Sequence, residues 1–274
     1  MKNQKIITHP GSAHFDEFFA ISLILAVHDG QEFEIFRKDP ENSDLLDPEI
    51  WVVDIGGQHN TALKNFDHHM DLDTPASFVI VADYLNLRTE LEIFEWFNYK
   101  DKIDRFGPFK VGMEMGTKGL PMTFSPFEEW YVDVFSKEPN ACIPIMRAFG
   151  KKMVEDARAL YSGIQFWKNA DTYHVKTKTI RVGYTSDSTG AEEYCASLET
   201  PFHISICYDK RGEGWTLKRY LDDPQVDFHK IAGHEEIKFA HSGGFIAKTK
   251  KRIPLEDVLG LVALAIDDKS EKKN

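Results

Sequence analysis

The chain has 274 residues, 42% of them hydrophobic and 12% aromatic, with 33 basic and 44 acidic side chains for a formal charge of -11. That length suits one large or two smaller globular domains. The acidic balance excludes a protein that coats nucleic acid through a broad basic face, but leaves room for a nucleic-acid substrate held at a small, locally positive site. Cys142, Cys195 and Cys207 are widely spaced and form neither a metal pair nor a disulfide framework, which points to a reducing, cytoplasmic setting. With no signal-peptide core and no 18-residue apolar run in the sequence, neither export nor a membrane span is expected.

Residues 5–8 read as a short buried strand that Pro10-Gly11-Ser12 breaks. From Asp16 the residues Phe18, Phe19, Ile21, Leu23, Ile24 and Leu25 predict a well-buried helix. Strands are expected over 33–36 and 51–53, the second ending at Asp54 with Gly56 and Gly57 behind it, and helices over 77–87 and 89–103. Strands alternating with helices predict an α/β fold: a mostly parallel sheet covered on both faces, with ligands outside the carboxyl ends of the strands. Residues 107–144, rich in Pro, Gly, Phe and Met, take no clear assignment. Met153, Ala157, Leu160, Tyr161 and Ile164 keep helical spacing and predict one long helix over 147–167. Beyond it, strands are expected over 173–176, 179–184, 203–208 and 215–220, with a hairpin turn at 209–214 and a closing helix over 255–266. The expected organisation is a domain over 1–146, a connecting helix over 147–170 and a smaller α/β domain over 171–268, followed by a charged, frayed tail.

Chemistry concentrates in the first part of the chain. Asn65-Phe66-Asp67-His68-His69 places a carboxylate beside two adjacent imidazoles. Neighbours on an extended segment point opposite ways, so one histidine can hold a metal while the other faces a pocket. Upstream, His9, His14 and Asp16 converge across a tight turn, and Asp54 ends a strand. Asp104 lies near a predicted helix end, where a carboxylate opposes the helix dipole and so calls for another reason to be there. Asp101 competes with Asp104 for that role. Nitrogen and oxygen donors spread over several strand ends are what a two-metal hydrolytic site requires. Asp54 can bridge two ions through its two oxygens, and Asp67 can orient His68 from behind. Asp16, Asp54 and Asp104 against two divalent ions leave about one positive charge, which suits a phosphate. A donor set without thiolate favours Mn²⁺, Mg²⁺, Zn²⁺ or Co²⁺; such ions activate a water, so no side-chain nucleophile is needed. Each residue also has a plainer reading, Asp16 as a helix cap, Asp54 as a turn former and the histidines as loop residues, and the full set in one chain argues against it.

These segments resemble the DHH phosphoesterase superfamily, and within it the melanocyte-proliferating-gene exonuclease branch. Thr8-His9-Pro10-Gly11-Ser12-Ala13-His14-Phe15-Asp16-Glu17 matches that branch's T-H-x-G-x-x-H-x-D-E, and Val52 to Gly57 matches its V-V-D-x-G-G. Asp67-His68-His69 matches the D-H-H, and Ile103-Asp104 the later I-D. Residues 239–246 resemble its H-A-S-G-F-I. The resemblance implies two lobes, with metals in the N-terminal one and substrate bound across a cleft by the C-terminal one. It implies His9, His14 and Asp54 on one metal, and Asp16, Asp54, His68 and Asp104 on the other. His69 would face the phosphate as a catalytic group beside the bridging Asp54, while His241, Gly243 and Gly244 would contact the phosphate or the terminal nucleotide. The implied cofactors are two divalent cations, Mn²⁺ foremost.

The chain departs from the pattern in two places. His14 stands where most of the superfamily has Asp, and His241-Ser242-Gly243-Gly244 replaces His-Ala-Ser-Gly. Lys218, Arg219, Lys248, Lys250, Lys251 and Arg252 read either as a hold on a phosphate tail or as solvated surface. Trp215 and Phe245 read as base-stacking residues or as core. The expected activity is that of a metal-dependent phosphoesterase, a 3′–5′ exonuclease on RNA or short oligonucleotides. The alternatives are a phosphohydrolase on a small phosphate ester such as pyrophosphate or a nucleotide, and a non-catalytic metal-binding protein.

Overall fold

The computed structural model describes residues 3–117 and 126–267. The chain divides into two compact units, Met1–Arg158 and Ala159–Asn274, the division falling inside a long helix. The first unit runs β1 Gln4–Thr8, α1 Phe15–Val27, β2 Phe33–Arg37, α2 Asn42–Leu46, β3 Ile50–Val53, β4 His59–Asn60 and β5 Asn65–Phe66. It continues through α3 Ser77–Tyr84, α4 Arg88–Leu91, α5 Glu95–Phe106, α6 Pro108–Glu114 and α7 Pro126–Lys137 into α8 Ile143–Lys168. Its sheet has the order β2-β1-β3-β5-β4, parallel except for the β4–β5 pair.

Alternate residues of these strands enter two different cores, as a pleated strand requires. Ile6, Ile35, Trp51, Val53 and Phe66 bury against the helices, while Ile7, Ile50 and Val52 pack on the opposite face with Phe36, Leu45 and Ile55. Burial on both faces explains why these strands read as continuous apolar runs. The helices are unequally shared, because among the described residues the short α2 alone supplies helical cover, through Leu45, to the second face. On the first face α1 is buried almost all round, and the Phe19 ring lies 5.3–5.7 Å, centroid to centroid, from those of Phe15, Phe78 and Trp96.

The register sets the site. Thr8 pairs with Val53, and Val53 with Phe66. The next residue of each strand, His9, Asp54 and Asp67, therefore emerges side by side at the carboxyl edge. β2 lies on one side of β1 and β3 on the other, so this edge is also where the strand order reverses, the usual ligand position in open α/β sheets.

Some helix bounds differ from the sequence reading. The helix expected over 77–87 stops at Tyr84, because Asn86 takes a left-handed conformation (φ 57°) and the Leu87 amide closes onto the Ala82 carbonyl at 2.8 Å. The helix expected over 89–103 is two helices, α4 and α5, separated at 92–94. The unassigned stretch 107–144 contains α6 and α7, with 118–125 outside the described residues.

The second unit contains β6 Asp171–Val175, β7 Lys178–Gly183, α9 Ala191–Ser197, β8 Ile204–Tyr208 and β9 Trp215–Arg219, then β10 Ile237–Ala240, β11 Ile246–Thr249 and α10 Leu255–Ala265. Its order is β10-β11-β9-β8-β7-β6, antiparallel except for β7–β8, which α9 connects. One face of Ile180, Val182, Ile204, Ile206 and Leu217 packs with Val258, Leu261 and Val262 of α10. β10, β11 and α9 are additions to the sequence reading, and the frayed tail expected after Ile266 lies, from 268 on, outside the described residues.

Candidate metal centre

Three groups of donor side chains converge at the carboxyl edge of the first sheet, each with its donor atoms within 4.8 Å of one another: His9, His14, Glu17 and Asp54; Asp54, His68 and His69; and Asp16, His68 and Asp104. Asp54 and His68 each belong to two groups, so the three form one connected cluster.

Local chemistry holds each donor. His9 places Nδ1 2.9 Å from the Pro10 carbonyl oxygen, which turns Nε2 inward, 3.1 Å from Glu17 and 3.6 Å from Asp54. His14 caps α1, and its amide donates to both Glu17 oxygens at 2.9 Å. Arg37 donates to Glu17 at 3.1 Å and to the Gly11 and Ser12 carbonyls at 3.2 Å, pinning the turn between β1 and α1. Asp54 takes a left-handed conformation (φ 60°), which bends the chain sharply at the end of β3. One of its oxygens accepts from the Ser77 hydroxyl at 3.2 Å. The Asp16 carboxylate accepts from the Ser77 and Phe78 amides at 2.9 and 2.6 Å, so an anion sits on the N-terminus of α3.

The adjacent histidines meet different surroundings. The His68 side chain is 7% exposed, with Nε2 3.0 Å from Asp104 and 3.4 Å from both Asp16 and Asp54. The His69 side chain is 62% exposed. Asp67, expected to orient His68, instead fixes His69: its Oδ1 lies 2.7 Å from His69 Nδ1 and accepts from the His69 amide at 3.1 Å, while its Oδ2 accepts from Gly57 at 2.6 Å. Between the two competing aspartates, Asp104 faces the cluster. Asp101 caps α3 by accepting from Ala76 at 2.8 Å and pairs with Arg105.

The electrostatics are those of a site short of positive charge. Burial, then the neighbouring Asp54 and Asp104 carboxylates, hold the Asp16 carboxyl well above its usual range. Burial also raises Asp54, with His68 opposing and Glu17 and Asp104 adding to the rise. Glu17, 3.1 Å away, is the main reason His9 is pushed up to about 9. Burial alone would lower His68, but Asp104, Asp54 and Asp16 outweigh it and push it up to about 10. The buried His9 Nε2 and His68 Nε2 point among carboxylates without forming a hydrogen bond. Two imidazole nitrogens aimed this way, beside four carboxylates, fit divalent cations, which compact anionic donor sets are built to hold. Glu17 is the one member that the sequence reading did not count as a donor. Its signal was its place three residues after the helix-capping His14, beside Asp16 at the start of a largely apolar helix.

His241, Gly243 and Gly244 lie in the second unit, at the turn between β10 and β11. The Gly243 amide donates to His241 Nδ1 at 2.9 Å, and Gly244 sits at φ 66° against Asp227. No donor group among the described residues includes His241. Much of the basic neighbourhood is engaged locally: Lys218 with Glu192, Lys248 with Asp209, and Arg252 over the Tyr208 ring at 3.8 Å. Trp215 is buried and donates to the Ile253 carbonyl, so it belongs to the core, whereas Phe245 is exposed beside His241.

The segment that carries most of the cluster also matches a known family model. Residues 5–75 match the MYG1_exonuc family model. That model is described as "Uncharacterised protein family (UPF0160)", and the matched span contains every cluster residue except Asp104. The rat MYG1 exonuclease is 39% identical over 70 residues, 25% of this chain and 18% of the relative. The MYG1 protein of Chlamydia trachomatis serovar D is 37% identical over 82 residues, 29% of this chain and 27% of the relative. The matches thus span less than a third of either relative's length. Among solved structures, RecJ from Thermus thermophilus in complex with Mn²⁺ aligns over 95% of this chain and 51% of RecJ, with 10% identity and a TM-score of 0.32. At that score the likeness transfers no residue. No helix among the described residues is long and apolar enough to cross a membrane.

Proposed function

We propose that this chain is a divalent-metal-dependent phosphoesterase of the exonuclease kind, acting 3′ to 5′ on RNA or short oligonucleotides. The observation that carries the reading is the sharing of Asp54 and His68 between donor groups, which puts one carboxylate within reach of two cation positions. The exonuclease name of the rat relative supports the reaction class.

In this reading His9, His14, Glu17 and Asp54 hold one cation, and Asp16, Asp54, His68 and Asp104 the other, with Mn²⁺ the first candidate. When bound, the pair supplies an activated water and neutralises the phosphoryl oxygens. The chain's own residues position and protonate. Asp67 engages His69 Nδ1 and leaves Nε2 of this exposed ring to exchange a proton with an oxygen of the substrate. Arg37, by gripping Glu17 and two carbonyls of the turn, keeps His9 and His14 on one side of the site. Asp16 ties the cluster to α3, so the donor set is held before any cation arrives. His241, Gly243 and Gly244 are proposed to contact the phosphate or terminal nucleotide, glycine amides being able to approach an anion closely.

Hydrolysis of 5′-labelled RNA of graded length, with Mn²⁺ and an Asp54→Asn control, tests the reading. A ladder shortening from the 3′ end, reduced by roughly a thousandfold or more in the variant, is expected. Equal cleavage by both proteins would overturn it. A second reading, a phosphohydrolase on a small phosphate ester, is favoured by one observation: Lys218 and Lys248 are occupied by Glu192 and Asp209, which leaves less cationic surface for a long backbone. Cleavage confined to dinucleotides or to small esters would select it.

A further inference from the structure

A cavity of about 670 Å³ opens directly beside the donor cluster, sharing His14, Asp16 and Asp104 with it. Its volume falls within the range of roughly 300–1,000 Å³ typical of small-ligand sites. The walls come from several elements of the first unit. The turn before α1 and the start of that helix contribute Phe15, and α3 contributes the fully buried Phe78. Ile103 lies on α5, and Val132 on α7. Phe15, Ile103 and Val132 are partly exposed and form the apolar wall, while Phe78 backs Phe15 edge to face from the core.

The polar groups on the rim are acidic. Glu128, Glu129, Val132, Asp133 and Ser136 repeat at helical spacing, so α7 turns one stripe toward the cavity. Of its carboxylates, Glu128 pairs with Lys100 and Asp133 with Lys137. Glu129 has no hydrogen-bond or ion-pair partner among the described residues. Lys100, the one Lys or Arg among the described lining residues, lies over the Phe15 ring at 4.6 Å as well as on Glu128. Further phosphates would meet like charge here. A neutral, flat group with N–H donors on its edge would meet aromatic and aliphatic walls and an acceptor at the rim.

We propose that this cavity is the pocket for the nucleobase of the nucleotide next to the scissile phosphate, and that Glu129 makes it prefer bases with an exocyclic amine. The inference rests on the phosphoesterase reading and names a determinant of its substrate. The chemistry is the carboxylate accepting from an amino group, as Glu and Asp do toward cytosine N4, with the partly exposed Phe15, Ile103 and Val132 side chains packing against the base. The pocket holds one base and repels a following phosphate, so recognition is concentrated on the terminal nucleotide.

The test compares short RNAs that differ only in the 3′ residue: cytidine, uridine or an abasic ribose. The wild-type protein is expected to show kcat/KM roughly fivefold or more higher for cytidine than for uridine ends. In Glu129→Gln that ratio is expected to fall to about twofold or less. Val132→Trp, which fills the cavity, is expected to lower the ratio of cytidine to abasic ends. Ratios measured within one variant are unaffected by a smaller folded fraction. Equal rates on all three ends in the wild type, or unchanged ratios in both variants, would overturn the pocket while leaving the phosphoesterase intact. Hydrolysis of bis(p-nitrophenyl) phosphate, which carries no base, separates the two. If the wild-type protein cleaves neither it nor RNA, the phosphoesterase reading fails and the pocket is judged by titrating cytidine and uridine onto the metal-free protein. Cytidine binding that Glu129→Gln weakens would then support it, and no difference between the nucleosides would overturn it.

Discussion

Asp16 and Asp104 are assigned to the same cation, yet the fold should treat their loss very differently. Asp16 is buried and receives two amides of α3, at 2.9 and 2.6 Å. In Asp16→Ala both buried amides lose their acceptor, at about 1–3 kcal/mol each. The favourable anion at the helix N-terminus, worth about 0.3–1 kcal/mol, is also lost. Against this stands relief from the burial and the Asp54 and Asp104 carboxylates that hold its pKa up. The net expectation is a loss of about 2–4 kcal/mol. For a unit of this size that is a drop in Tm of about 4–16 °C. Asp104 is partly exposed, accepts from no backbone amide among the described residues and lies 3.0 Å from His68 Nε2, so Asp104→Ala should stay within about 1 kcal/mol of the parent. Thermal and urea unfolding of the metal-free proteins at neutral pH measures both. Both variants should lose tight Mn²⁺ binding. Equal destabilisation by the two substitutions, or an unchanged Tm in Asp16→Ala, would refute the claim that Asp16 ties the metal cluster to α3.

Other outcomes follow from the same structure. Asp104→Asn should lose bound Mn²⁺, whereas Asp101→Asn should keep it and cost about 1–3 kcal/mol of stability by weakening the bonds to Ala76 and Arg105; metal content and unfolding curves decide between the two aspartates. Asp209 is buried, which would raise its pKa, but Lys248 and the Arg211 amide outweigh burial and hold it below the usual 3.8. A depressed folded pKa gives stability that is present above the unfolded value and lost as pH falls through the folded one. The second unit should therefore weaken in acid, and Asp209→Asn should flatten that limb of a Tm-against-pH curve. Gly244→Ala should destabilise the β10–β11 hairpin by about 1–3 kcal/mol, because the new Cβ would lie 2.1 Å from Asp227 Oδ1 at a φ of 66°; Asp227→Ala in the same chain should recover part of the loss.

The sheet of the first unit was legible because its strands are buried on both faces and leave short apolar runs at 6–7 and 51–53, each followed within two residues by a polar side chain, His9 or Asp54, that lies in the donor cluster. The 107–144 stretch was not legible. α7 has an apolar stripe, but Pro139 and the Pro, Gly and Met residues before it mask the period. β11 is four residues, Ile-Ala-Lys-Thr, half of them polar, and its place comes from pairing with β9 and β10 rather than from its own pattern. The break between α4 and α5 carries no Gly or Pro to announce it; the chain turns where Phe94, extended, receives the Phe97 amide at its carbonyl. In the site, His9, Asp54 and His68 stood out as polar residues where strands end. Glu17 was hidden because a buried charge inside an apolar helix is legible only once Arg37, the His14 amide and His9 are seen around it. The partner of Asp67 could not be read from sequence either, since the chain turns after β5 and brings His69 rather than His68 back onto it.

In the proposed reading, one connected cluster binds two cations through a shared Asp54. Titration of the metal-free protein with Mn²⁺, followed by electron paramagnetic resonance, tests it most directly. Two ions per chain are expected, with the broadened signal of a coupled pair and loss of the coupling in Asp54→Asn. Binding of one ion or none by the wild-type protein, or an Asp54→Asn variant that still holds a coupled pair, would contradict it.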